Sequence, residues 1–422
     1  MNKFYMTALA LVGSAAPLLA QSTQNRLTSR TVAVKEAVTL NGRACATMEV
    51  FEAQLAADPA MSLRMNAIEA QTKRYLSQPP IAQRRLAGTV VTIPVVVHVV
   101  YNTAAQNVSD AQVADQIRVL NEDFAKTNAD AAQTPSIFTA SATSVQFVLA
   151  KQSPTGAATT GIVHRLTKTR SFSSNDAVKS TSRGGSDAWP RDKYLNVWLC
   201  NLGNGLLGYA QFPGGAAATD GVVCLYSSVP GGTATNYNGG RTATHEVGHW
   251  LNLRHIWGDA TCGNDLVADT PTQQTSNGGC PGFPKITCSN QGDMSMNYMD
   301  YTYDKCMYMF TAGQSGRMDA LFATGGARAS LITSTGGTAA LRQVASNSTL
   351  YPNPATDVVN VSLTEGARGV STVSVYDMSG HEMTQARHNG NGQVQVSALP
   401  KGLYYIRTST GGNVTHQRFE KE

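Results

Sequence analysis

The chain has 422 residues, room for about two or three domains of ordinary size. Only 14% of residues are charged and the formal net charge is +5, with no run of Lys and Arg interleaved with aromatics, so nucleic acid is not expected as a partner. Abundant Gly, Ser, Thr and Asn suit a secreted protein rich in loops and strands.

The N-terminus reads as an export signal over residues 1–20. Lys3 supplies the positive start, Tyr5 to Val12 is largely apolar, and Leu18-Leu19-Ala20 offers a cleavage point before Gln21. The apolar stretch is short for a membrane anchor and is interrupted by Gly13, Ser14 and Pro17; no other segment approaches spanning length. Residues 21–88 are polar and Ala/Gln-rich, with a helical stretch from Thr47 to Leu76 and basic pairs at Lys73-Arg74 and Arg84-Arg85.

Val90 to Tyr101 is an almost continuous β-branched run, the pattern of a central strand buried on both faces. Ser109 offers an N-cap, and Val113, Ile117, Leu120 and Phe124 recur at helical spacing. Further strands are expected at Val145–Ala150, Leu195–Cys200 and Gly221–Tyr226, and helices at Thr242–Leu251 and Ala312–Ala323. Strands alternating with long helices imply an α/β (α+β) domain, a sheet with the Thr242–Leu251 helix packed beneath it. After Thr333-Ser334-Thr335-Gly336-Gly337-Thr338, which reads as a linker, the style changes to short alternating strands: Val358–Leu363, Val373–Tyr376, Val394–Val396 and Leu403–Arg407. That is a small all-β sandwich.

His245-Glu246-Val247-Gly248-His249 places two imidazoles four residues apart on one helix face, able to grip a single metal ion. His255 follows six residues later, so three of the chain's eight histidines fall close together. Three imidazoles leave one position open for water, the arrangement of a catalytic rather than a structural zinc. Neutral ligands leave the metal its full charge, so a bound water loses its proton near pH ~7. Glu246 is placed to take that proton and pass it to a leaving amine. The substrate is then protein or peptide. The alternative is a non-catalytic surface-binding protein on the same scaffold. Of seven cysteines, Cys262, Cys280, Cys288 and Cys306 cluster downstream in a Gly/Pro/Asn-rich segment that disulfides would hold. Cys200 and Cys224 either pair or remain buried thiols, and Cys45 has no evident partner.

With its third His after a turn, the motif resembles that of the metzincin metallopeptidases, departing at Asn252 where that pattern has glycine; Asn is the next most tolerant of a left-handed backbone. The resemblance implies that Asn297-Tyr298-Met299-Asp300-Tyr301 is the methionine turn, with Met299 as the base of the site and Tyr301 donating to the oxyanion. From about Val91 to Ala323 the chain is similar to the pappalysin-type branch, through the IPVVVHVVY and HEVGHWLNLRH runs, Asp269-Thr270-Pro271 and Met299 to Thr311. That branch implies disulfides Cys262–Cys288 and Cys280–Cys306, and a calcium ion in the same loop for which Asp265, Asp269 and Thr270 are the oxygen donors. It also places Asp304 at the base of the pocket beyond the scissile bond, favouring Arg or Lys on the leaving side. In some relatives a thiolate fills the open zinc position of the precursor, and Cys45 suits that role. Residues 347–422 resemble a type IX secretion sorting domain, through Leu350-Tyr351-Pro352-Asn353-Pro354 and Gly402-Leu403-Tyr404-Tyr405-Ile406, implying that secretion machinery as a partner and a secreted or cell-surface product. The organisation expected is signal 1–20, propeptide 21–88, catalytic domain 89–332, linker 333–346 and sorting domain 347–422.

Overall fold

The computed structural model describes residues 44–78, 90–338, 349–362, 372–378, 380–389, 392–410 and 413–422. All lie in the second of two compact units, Leu40–Glu422. The export signal, Arg84-Arg85 and most of the linker fall outside the described residues.

Two helices precede the sheet, α1 (Thr47–Ala57) and α2 (Ala60–Leu76). The single helical stretch expected there is divided at Asp58-Pro59, because Pro59 supplies no N–H to continue α1. Strand β1 (Val91–Tyr101) is buried almost throughout and lies centrally. It pairs in parallel with β2 (Val145–Leu149) and β3 (Ile162–Leu166) along one edge and β4 (Leu195–Cys200) along the other. Strand β6 (Val222–Leu225) continues in parallel from β4, and β5 (Gly208–Ala210) closes the sheet as an antiparallel edge. Ile93, Val95, Val97 and Val99 enter one core, whereas Val100 packs with Trp198 and Tyr209 on the opposite face. Pleating thus divides one apolar run between two layers.

Helix α3 (Asp110–Phe124) begins at Ser109 with a reciprocal capping box to Gln112. Helix α4 (Arg241–Trp250) packs beneath the sheet with Ala243, Val247 and Trp250 in the main core. Helix α5 (Ala312–Ala320) opens on a second capping box, between Thr311 and Gln314. Strands β7 (Gly278–Gly279) and β8 (Tyr301–Thr302) form a short parallel pair. Disulfides join Cys262 to Cys288 and Cys280 to Cys306. Cys200 and Cys224 sit on adjacent strands offset by one residue, so they enter opposite layers and do not pair.

Composition places a linker from residue 333, but the structure ties 334–338 to the segments flanking β2 and β4. Lys151 N donates to Gly336 O at 2.8 Å and Ser334 Oγ to Lys193 O at 2.7 Å. Gly336 permits that approach, since a Cβ there would meet the Tyr194 ring at 2.5 Å.

The C-terminal strands are β9 (Thr349–Tyr351), β10 (Val358–Ser362), β11 (Thr372–Asp377), β12 (Arg387–His388), β13 (Gln393–Gln395), β14 (Gly402–Thr410) and β15 (Asn413–Lys421). One sheet runs β12-β13-β10-β9 and the other β11-β14-β15. Val359, Val361 and Val394 of the first meet Val375, Ile406 and Phe419 of the second. No helix among the described residues is long and apolar enough to cross a membrane.

Candidate metal centre

Helix α4 brings His245 and His249 together through its four-residue spacing, with ring centroids 4.7 Å apart. It ends in a Schellman motif: Leu253 N donates to Gly248 O at 2.9 Å and Asn252 N to His249 O at 2.8 Å. Asn252 takes the left-handed conformation expected of it, with φ of 68°. The reversed chain then returns His255 to the same point. Its Nε2 lies 3.1 Å from that of His249, which lies 3.2 Å from that of His245.

The other nitrogen of each ring is already engaged. His245 Nδ1 bonds Tyr298 O at 2.7 Å, His249 Nδ1 bonds Leu253 O at 2.8 Å, and His255 Nδ1 bonds an Asp259 carboxylate oxygen at 2.5 Å. Carbonyls and carboxylates only accept, so each Nδ1 carries the proton and the three Nε2 lone pairs converge. Burial pushes His249 far toward its neutral form, which adds to the case against a proton between the rings. Lone pairs converging this closely could hold a cation between them, and three imidazoles suit zinc. The sequence reading missed Asp259, which carries no local signal beyond its position four residues after His255.

Cys45 completes the cluster: its Sγ and a ring nitrogen of each histidine lie within 4.8 Å of one another. Burial first, and then the Glu246 carboxylate, push the Cys45 thiol up, so a thiolate there depends on a neighbouring cation. The chain on either side of Cys45 is tied to the edge strand region, Ala46 N to Gly208 O at 3.1 Å and Leu207 N to Ala44 O at 2.9 Å. Thr47 had not been anticipated. Its Oγ1 donates to Glu246 Oε2 at 3.1 Å and accepts from Ala210 N at 2.8 Å. Gly208 leaves room for Glu246, since a Cβ there would come within 2.7 Å of Oε1.

Met299 is buried directly under α4, and its backbone O accepts from Ile256 N at 3.2 Å. The Tyr301 hydroxyl lies 3.2 Å from His255 Nε2 and 3.4 Å from Cys45 O. Asp123 of α3 accepts from Thr244 at 2.7 Å and from the Tyr298 hydroxyl at 2.8 Å, joining α4 to the turn that carries Tyr298 and Met299; burial pushes its carboxyl up to about 6. Asp304 caps the start of α4, accepting from Gly239 N at 2.8 Å and Arg241 N at 3.2 Å. Of the calcium candidates, Asp265 accepts from Thr270 at 2.9 Å, whereas Asp269 turns to the start of α5, bonding Thr311 and Gly313 N. Among the described residues, the Cys45–histidine cluster is the one grouping of three or more metal-binding side chains.

Fold and site together define a metallopeptidase: an α/β sheet over a helix that contributes two of three convergent imidazoles. The family described as "Pregnancy-associated plasma protein-A" matches residues 179–323, and the "Secretion system C-terminal sorting domain" family matches 349–422. An extracellular metalloprotease of Pyricularia oryzae is 33% identical over 291 residues, covering 66% of this chain and 84% of the relative. One from Arthroderma benhamiae is 34% identical over 239 residues, covering 54% and 76%. A promirolysin mutant of Tannerella forsythia is 47% identical with a TM-score of 0.63, covering 68% of this chain and 97% of that one. Mirolysin in complex with a small compound is 52% identical with a TM-score of 0.57, covering 58% and 97%. The chain belongs to the pappalysin family of metallopeptidases, and it is secreted or displayed at the cell surface.

Proposed function

We propose that the chain is a zinc-dependent endopeptidase made as a latent precursor, with His245, His249 and His255 as the zinc ligands. The observation that carries this reading is the convergence of three Nε2 atoms whose opposite ring nitrogens are all engaged. When bound, zinc supplies Lewis acidity to a peptide carbonyl and brings the pKa of a water to near ~7. Glu246, wholly buried beside the ligands, accepts the proton of the attacking water and delivers it to the leaving amine. The Tyr301 hydroxyl, beside His255, donates to the carbonyl oxygen as it gains charge. Met299 supports the floor of the site.

Residues 21–88 act as the propeptide of a catalytic domain at 89–332. Cys45 fills the open metal position in the precursor, and Thr47 holds Glu246. Asp304, buried at the start of α4, selects Arg or Lys on the leaving side. Residues 1–20 direct export, and 347–422 engage type IX secretion machinery and are then dispensable for catalysis.

The test is a casein digest by the activated protein, with and without a zinc chelator, beside Glu246→Gln. Removing the base is expected to lower turnover by about 10²–10⁴-fold while zinc stays bound. Full activity in the chelated protein would sink the reading.

A further inference from the structure

Phe212 lies two residues beyond β5 and is almost fully buried, yet every other member of its hydrophobic cluster comes from α1 and α2. Met61 and Met65 are buried with it, and Met48, Phe51, Leu55 and Ile68 pack around them. The Phe51 ring meets Phe212 edge-on at 5.2 Å, and on the other side Phe212 lies 5.6 Å from the His249 ring. The same helices grip the neighbouring chain: Gln54 Nε2 donates to Gln211 Oε1 at 2.9 Å and Arg64 Nε to Gly214 O at 2.7 Å. Gly214, at φ of 99°, lets them approach; a Cβ there would meet Ile68 at 3.3 Å and Met65 at 3.4 Å.

Phe212 stands at the His249 end of α4, and Asp304 at the Arg241 end. Those two helix positions are roughly 12 Å apart along the axis, at about 1.5 Å per residue. A peptide crossing Glu246 with its leaving side toward Asp304 therefore presents its other half to Phe212. Once α1 and α2 depart, an aromatic face beside the histidine cluster loses the apolar side chains that cluster on it, which are Met, Phe, Leu and Ile, with the Phe51 ring in direct edge-on contact.

We propose that Phe212, flanked by Gly214, forms a specificity subsite on the acyl side of the scissile bond, taking a large apolar side chain, aromatic or Met, from the substrate. This deepens the precursor-endopeptidase reading above and rests on it. The binding step is the exchange of one apolar cover for another, so the subsite is closed to substrate in the precursor and open in the activated enzyme.

The test uses the full chain, activated by trypsin that is then inhibited. Paired fluorogenic peptides carry Lys on the leaving side and either Phe or Ala at each of the three positions before the cut. The parent is expected to favour Phe at one of those positions by about tenfold or more in kcat/KM, as a hydrophobic pocket discriminates. In Phe212→Ala the ratio falls toward one, and in Phe212→Leu preference moves from Phe toward Leu. Zinc content is measured alongside to identify a variant that has lost its site, in which case Phe212→Leu carries the decision. A parent ratio near one at all three positions, a ratio unchanged in Phe212→Ala, or an unshifted Phe212→Leu profile overturns the proposal. A zinc-loaded parent that cleaves neither peptide overturns the endopeptidase reading, and the subsite with it.

Discussion

Gly248 and Met299 are packed so closely that a Cβ on the first would lie 2.4 Å from the sulfur of the second. The glycine between Glu246 and His249 is therefore the space the Met299 side chain requires. Alanine at a helix interior gains about 1 kcal/mol over glycine, whereas overpacking a dense core costs about 1–3 kcal/mol. The second effect wins, because Met299 is fully buried and has nowhere to move. Gly248→Ala is expected to lower stability by about 1 kcal/mol net and to weaken metal binding, read by urea unfolding and competition with a zinc indicator. A gain in stability would show that the sulfur can be displaced cheaply.

Asp259 fixes the ring orientation of His255 through the bond to Nδ1. Losing such a partner lowers metal affinity by about 10–100-fold. Asp259→Asn, which keeps an acceptor, is expected to fall less than Asp259→Ala. Equal zinc affinity in all three proteins, measured by chelator competition, would remove Asp259 from the site.

Latency is expected to have two parts. Cys45→Ala precursor gains activity before processing, but Thr47 still occupies Glu246 and the Ala210 N–H. Hydrogen bonds to charged groups contribute about 1.5–3 kcal/mol, so adding Thr47→Ala should raise the activity of unprocessed protein about tenfold further. Unprocessed protein that stays fully latent in both variants would count against the arrangement.

Asp304→Ala removes the acceptor at the start of α4. Cleavage of a peptide library before Arg and Lys should drop by about tenfold or more relative to other residues. An unchanged set of cleavage sites would assign Asp304 to helix capping alone.

His98, buried on β1 between Ser186 and Asn196 and stacked on Trp198, is held neutral: burial pushes it down to about 4. Its depressed value means that the unfolded chain takes up the proton first. The associated stability is fully present above about pH 6.5 and is lost as the pH falls to about 4, a loss of about 3 kcal/mol. His98→Gln should show a shallower acid dependence than the parent in urea unfolding across that window. Parallel curves would mean that His98 does not titrate there.

Much of this was legible in order along the chain. The β-branched run of β1, the Ser109 cap and the 245–255 histidine pattern each depend on residues close in sequence, whose spacing maps directly onto strand, cap and helix face. Even Asn252 declared its left-handed turn, since few other residues tolerate one. Strands β3, β5 and β15 did not stand out, because β5 has three residues and edge or surface strands carry little apolar periodicity.

What only the folded chain decided were the meetings between distant segments. Thr47 reaches Glu246 across 199 positions and Tyr298 supplies its carbonyl to His245 across 53. Neither threonine nor a backbone carbonyl advertises such a role locally. The histidine cluster was written in side chains whose type and spacing suffice, whereas the contacts of Thr47 with Glu246 and of Phe212 with His249 arose from packing that brings unrelated stretches together.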